Sequence, residues 1–535
     1  MHRPNFLTLA FCLCAAIAST FAGERAPQGH PIEGLKLGAD TTFVTAPLNE
    51  LGYPDYAAAL DRQYAEGVDP KDNFWTLFMT ILPRAEFNER FAAQLARRPG
   101  FETALDAQPR FVDLGEGLAP EDSKKQIDEH EKSSSAPWKA GSLPMIASWL
   151  KTNAEPLRIA AEAARRPKTY APLISTSDPP TLVSVLLPHV QRTRSIARAL
   201  DARAMLNIGE GRSDAAWQDV MTMHRIAAHL DTSAIVIERL VGMAIGAMAQ
   251  KATVLSLVDP RLSSAQLEQR WRDLADVLPA RSHIASVVQS DRFMSLDLTL
   301  ALRSGAVTLN DLGVSSVAPP SEGAGPATFI DFRKVGKTLE SLLVNSGDVN
   351  EVLAYVNSFH NGVEEALSRE TYSERKAELQ RVIQEFGVDK PVTGTAAAAF
   401  LLAGADGLDF IGKQSIIRLF SSAYNQVHVA EGRALARSAL LHAAIAAELL
   451  YRENGEDAAS GEQLEEAAAA LAQSAGVAAP RLVDPFTGGA FKVRRTEEGL
   501  MIYSLGDNQK DEAGKTYGEG NGTDDISVSL NRSTQ

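Results

Sequence analysis

Cysteine is nearly missing from this chain: Cys12 and Cys14 are the only two in 535 residues, and both fall within the first 22. Residues 1–22 read as an export signal. His2 and Arg3 give a short polar-to-basic start, Phe6–Ala22 is apolar, and Thr20-Phe21-Ala22 offers a small-x-small cleavage site. A retained anchor is the alternative, because the run is close to spanning length. The residues ahead of each cysteine lack the small residue of a lipoprotein signal. Cleavage near Ala22 leaves a protein with no cysteine, which excludes disulfides, thiolate metal sites and a cysteine nucleophile. An exported chain without disulfides is compatible with a bacterial periplasm or cell envelope.

Positive charge is in deficit. The formal charge is −14, and loss of Arg3 with the signal makes it −15, from 52 basic and 67 acidic residues. A net acidic chain with dispersed Lys and Arg does not favour nucleic acid or an anionic membrane as partner. No further apolar run of spanning length interrupts the chain, since Phe400–Ala403 and Ala443–Leu450 are short and flanked by charge. Aromatics amount to 7% against 45% apolar residues overall, and alanine is abundant. That balance suits close-packed helices better than sheets.

Catalytic signatures are also missing. The ten histidines are scattered, with no HExxH and no Gly-x-Ser-x-Gly. His224 and His229 are five apart and share no helical face, so His224 reads as a packed histidine. Two phosphate-loop near-misses fail. Gly336-Lys337-Thr338 has Asp331 at the first glycine position, and Gly407-x4-Gly412-Lys413 is followed by Gln414, with Ala396–Ala399 upstream arguing for helix.

Helical periodicity fills most of the rest. Phe74, Leu77, Phe78 and Ile81 share a face in the stretch Tyr53–Phe91, which Pro83 interrupts. Residues 112–142, charged and carrying Ser133-Ser134-Ser135, read as a surface loop. Pro188–Met205 is amphipathic, Gly209-Glu210-Gly211 breaks it, and Ser213 is expected to cap the next helix. Helices follow at Ser233–Leu257, Ser264–Val277 and Ala285–Leu302. Residues 304–329 form a Pro-, Gly- and Ser-rich linker, after which helix resumes from Val335 to Phe386. A long helix is expected over Ser415–Glu453, with a break near His428 and an apolar stripe through Ala436, Ala439, Leu440, Ala443, Ala447, Leu450 and Tyr451. Trp217 and Trp271 sit at core positions. No repeat period recurs.

After a short helix at Gly461–Ser474 the pattern changes. Phe491, Val493 and Arg495, then Leu500, Ile502 and Ser504, alternate as two strands around Glu497-Glu498-Gly499. A lone hairpin is marginal in water, so it must pack on something, and the stripe of the long helix is nearest. Downstream lies an acidic, glycine-rich loop. The order of long helix, Asn454-Gly455, Asp484-Pro485, Gly488, paired strands, Tyr503-Ser504-Leu505-Gly506-Asp507 and Asp524-Asp525-Ile526 resembles the globular part of type II secretion major pseudopilins. The likeness covers Ser438–Val528. The remaining chain is similar to uncharacterised exported helical bacterial proteins. The chain lacks at its start the Gly-Phe cleavage site, early glutamate and polymerising helix of a pilus subunit, so the resemblance implies a borrowed fold and not a pilus subunit.

The resemblance implies a calcium ion in the loop after Tyr503-Ser504. Calcium takes six to eight oxygens from carboxylates and carbonyls. Asp507, Asn508, Asp511, Asp524 and Asp525 offer side-chain oxygens, the Leu505 carbonyl is a further candidate, and the loop glycines let it fold back. Gln509 stands where the family has glycine, and Glu512-Ala513 where it has Gly-Gly. The spacing is not that of an EF-hand, and a solvated acidic tail is the alternative.

The expected fold class is mainly α, a multi-helix body over residues 23–430 with a small C-terminal α+β, pseudopilin-like module over 431–528 and a tail at 529–535. The expected function is an exported, non-catalytic envelope protein. Its helical body scaffolds or binds an unknown protein partner, and its module is a candidate calcium binder. The alternatives are a hydrolase-like enzyme with a cleft between helices and an accessory of a type II secretion system.

Overall fold

Short polar side chains start the helices of the first third. Asp55, Asn73 and Asn88 each accept a backbone N–H from the turn that follows, opening α1 (Tyr56–Ala65), α2 (Phe74–Phe78) and α3 (Glu89–Leu95). The helical stretch read over Tyr53–Phe91 is therefore several short pieces, with extended backbone at Leu82 before Pro83. The computed structural model describes residues 29–185, 187–278, 284–307, 348–388, 405–517, 519–520 and 522–531. The export signal, most of the 304–329 linker, the helix start at Val335 and Gly336-Lys337-Thr338 lie outside them.

Residues 112–142 are not all loop. They contain α4 (Pro120–Ser133), with Pro120 at its first position, Glu121 and Asp122 in its first turn and His130 and Lys132 in its last. That arrangement suits the helix dipole. Its few apolar residues carry no periodic signal, which is why pattern reading passes over it. Glu129 is buried on its inner face and accepts the N–H groups of Met145 (2.8 Å) and Ile146 (3.2 Å), serving the start of α5 (Pro144–Thr152). α6 (Ala154–Ala163) follows directly.

The centre is a run of longer helices, α7 (Pro188–Gly209), α8 (Ser213–Asp231), α9 (Val236–Leu257), α10 (Ser264–Ala275) and α11 (Val287–Arg303). Gly209 has to be glycine, because a Cβ there would stand 2.2 Å from the Trp138 carbonyl oxygen. Ser213 is not the cap expected of it: it is the first residue of α8, and its hydroxyl accepts from Arg270 at 2.9 Å. α10 and α13 (Tyr372–Glu385) each begin with a capping box, Ser263 with Gln266 and Thr371 with Glu374. α12 (Val349–Leu367) precedes α13.

α14 (Ala405–Asn454) is one helix of 50 residues and does not break at His428. It incorporates Gly407, Gly412 and Lys413, so the second phosphate-loop near-miss is helix. From Leu440 to Ala447 every residue is buried, more than a single stripe. The reason is that α9, α10 and α12, the following α15 (Gly461–Ala475) and the sheet pack around it from several sides. Residue 431 lies inside α14, and one apolar cluster runs without interruption from Phe74 and the α7–α10 helices through Ala436–Ala447 to Leu500, Ile502 and Leu530. By length and composition α9 and the Tyr424–Asn454 part of α14 are apolar enough to cross a membrane. Their most apolar windows are 50% and 67% buried inside the protein, as in helices of a core.

The sheet has three antiparallel strands in the order β1 (Lys492–Thr496), β2 (Gly499–Ser504) and β3 (Ile526–Asn531). Val493 faces Ile502, which faces Val528. The third strand was not anticipated, and residues 529–531, expected as tail, belong to it. Its Ile526, Val528 and Leu530 alternate inward beside Leu500 and Ile502, completing the apolar face that a lone hairpin lacks.

Candidate metal centre in the C-terminal loop

Asp484 anchors the approach to the loop. It is 1% exposed, and its two carboxylate oxygens accept from Ser504 Oγ (2.8 Å), Phe486 N (3.0 Å) and Leu505 N (3.0 Å). The Asp-Pro turn and the end of β2 are thereby pinned together. Gly506 comes next at φ +64°, where a Cβ would lie 2.6 Å from Asp524 Oδ1. Only glycine permits the two ends of the loop to approach so closely.

Asn508, Asp524 and Asp525 come together where β2 leaves the sheet and β3 enters it, while the Leu505 N–H turns to Asp484. Asp524 Oδ2 accepts the N–H groups of Asp507 (3.0 Å) and Asn508 (3.3 Å) and lies 3.8 Å from Arg433. Asp525 Oδ2 accepts from Glu512 N (3.1 Å) and Gly514 N (2.8 Å). The second oxygens of both residues, Asp524 Oδ1 and Asp525 Oδ1, are buried and have no hydrogen-bond partner. Glu512, not among the residues expected, joins them. It accepts from Asp524 N at 3.2 Å and from Asn508 Nδ2 at 2.7 Å. The signal for it was present as one more carboxylate in an acidic loop, but the family pattern placed glycine there. Burial, followed by the Glu512 and Asp511 carboxylates, pushes the Asp525 carboxyl up to about 6.

Asp507 and Asp511 point elsewhere. Asp507 Oδ1 accepts from Tyr372 Oη at 2.6 Å and pairs with Lys376. Burial alone would raise the Asp507 carboxyl, yet Lys376 and Tyr372 outweigh it and hold it below its ordinary value. Asp511 Oδ1 accepts from Tyr503 Oη and Ala513 N, both at 3.0 Å.

A hard cation fits two of these atoms on physical grounds. A buried carboxylate oxygen without a donor carries an uncompensated desolvation cost that a bound cation removes. Among the described residues no three His, Cys, Asp or Glu side chains converge as a metal cluster, so a calcium shell here would draw further oxygens from carbonyls and water. Asp507 and Asp511 each give Oδ1 to other donors, and their Oδ2 atoms are not among the buried, donorless oxygens.

Several titratable groups of the helical body are held away from solvent. His189 bonds Glu238 at 2.6 Å, His224 bonds Thr253 at 2.9 Å, and His360 and His442 bond carbonyls of their own helices. Burial pushes His224, His360 and His442 down to about 4, so they are neutral. Asp297 on α11 is fully buried, and desolvation pushes it up to about 8. A polar groove of about 350 Å³ runs between the starts of α8 and α10, lined by Arg212, Asp214, Asp259 and Arg261. Its arginines are already paired, Arg261 with Asp259 and Arg212 with Glu210.

No family model, curated protein or solved structure matches the chain.

Proposed function

We propose that this is an exported, non-catalytic protein of the cell envelope whose helical body acts as a scaffold or binding surface for a protein partner. Its C-terminal loop takes a calcium ion through Asp524 and Asp525, with Glu512 and Asn508 beside them. The observation that carries the metal reading is the pair of buried, donorless oxygens, Asp524 Oδ1 and Asp525 Oδ1, on consecutive residues. The non-catalytic reading is supported by His224, His360 and His442, which are buried in packed core, held neutral and bonded to a neighbouring hydroxyl or to carbonyls of their own helices.

Bound calcium would neutralise the two carboxylates and hold the loop ends together. Asp484, Gly506 and the Gly514 N–H set the backbone that presents them. Calorimetric titration of the full chain tests this. One ion is expected to bind at or below about 1 mM, the range of extracellular calcium modules, and Asp525→Asn is expected to abolish the heat. Absence of heat in the unsubstituted protein overturns it. Export is tested by N-terminal sequencing of periplasmic material, which is expected to begin at Gly23.

A further inference from the structure

Asp507 belongs to the loop, but its partners belong to the body. Tyr372 and Lys376 lie one turn apart on α13, 135 and 131 residues earlier in the chain, and both engage Asp507 Oδ1. Lys376 also reaches the Asp507 carbonyl at 3.3 Å. Tyr372 is itself fixed on three sides. Its ring stacks on His428 of α14 at 4.1 Å and 13°, meets Phe486 edge-on at 4.6 Å, and closes over Gly432, where a Cβ would lie 2.8 Å from the ring. Phe486 in turn gives its carbonyl to Gln509 Nε2 at 2.9 Å. A side chain this constrained cannot follow the loop if the loop moves; it either holds Asp507 or releases it.

The connection to the two donorless oxygens is short. Asp524 Oδ1 is one of them, and its sister oxygen Oδ2 accepts the backbone N–H of Asp507. One carboxylate group therefore presents a buried, donorless oxygen on one side and holds the backbone of the latch residue with the other. Anything that fixes Asp524 fixes where the Asp507 side chain stands.

We infer that Tyr372 and Lys376 form a latch through which occupancy of the C-terminal loop is relayed to helix α13 and so to the helical body. The inference rests on the calcium reading and names its regulation: the metal orders Asp524, Asp524 places Asp507, and Asp507 docks on α13. By reciprocity of linked equilibria, the latch must strengthen calcium binding by the factor by which calcium strengthens the latch. A hydrogen bond to a charged group sets that factor at about tenfold.

Hydrogen–deuterium exchange of the full-length protein in EDTA and in millimolar CaCl₂, with titration calorimetry alongside, tests the relay. In the unsubstituted chain, calcium is expected to slow exchange in both 505–526 and 372–385. In Tyr372→Phe and Lys376→Met, calcium is expected to protect the loop still but no longer the helix, and to bind about tenfold more weakly. Undiminished helix protection in both variants, or a loop that responds in the unsubstituted protein while the helix does not, overturns the relay and leaves calcium binding standing. If neither segment of the unsubstituted protein responds, the calcium reading falls and the relay with it. Far-ultraviolet circular dichroism of each variant separates loss of the latch from loss of the fold.

Discussion

Replacing Asp297 by Asn should change the pH dependence of stability more than stability itself. Asp297 is 0% exposed, its Oδ2 accepts the Leu182 N–H at 2.6 Å, and its Oδ1 is without a partner. Burial raises its pKa to about 8; Asp55 adds to the rise and the Leu182 N–H opposes it. An unfolded Asp titrates near about 3.9. Between those values the folded chain binds one proton more than the unfolded chain, so stability from this group is complete below about 4 and is lost as pH rises to about 8. The loss runs at about 1.4 kcal/mol per pH unit, or about 3 kcal/mol from pH 5 to pH 7. Asn keeps the shape and an oxygen for the Leu182 N–H but cannot titrate. Urea denaturation of both proteins at pH 5, 6, 7 and 8 should show Asp297→Asn gaining on the parent by that amount over the first two units and by about 1 kcal/mol more from pH 7 to pH 8. Parallel curves with a constant offset would refute the claim that a buried, protonated carboxyl sits on α11.

On the acid side the histidines act in the opposite sense. His442, held near 4 by burial, binds no proton in the folded chain where an unfolded histidine does, so its contribution is intact above about 6.5 and lost as pH falls toward about 4. His442→Gln should lose about 2 kcal/mol less stability than the parent between pH 6.5 and pH 4.5, read from urea midpoints. Gly506→Ala puts a methyl 2.6 Å from Asp524 Oδ1 at φ +64°. It should remove calcium binding in calorimetry while the circular dichroism of the helical body stays that of the parent.

Local physics made much of the architecture readable. Pro188 opens α7 as read, the Gly209-Glu210-Gly211 stop separates α7 from α8, and alternation marks Leu500 and Ile502 as the inner face of a strand. What failed to read was decided by partners distant in sequence. α4 has too few apolar residues to signal itself, and is held by the Glu129 contacts to α5. The strand β3 gives no signal of its own, and its second half, residues 529–531, reads as tail until Ile526, Val528 and Leu530 are seen to complete the inner face beside β2. The break expected near His428 does not occur: α14 runs unbroken through it, with Tyr372 stacked on the His428 ring and closing over Gly432. In the loop, the acidic residues were visible as a group, but their division was not. Asp524 and Asp525 keep free oxygens, whereas Asp507 and Asp511 are taken by Tyr372, Lys376 and Tyr503.

The sequence alone settled the helical class and the strand alternation, because each depends on residues within a turn or two of one another. Tertiary structure alone decided that α14 is buried all round, that the sheet has a third strand, and which carboxylates face the body and which face inward. Those outcomes depend on pairings such as Asp507 with Tyr372, which are separated by 135 residues and exist only once a common core has brought the two segments into contact.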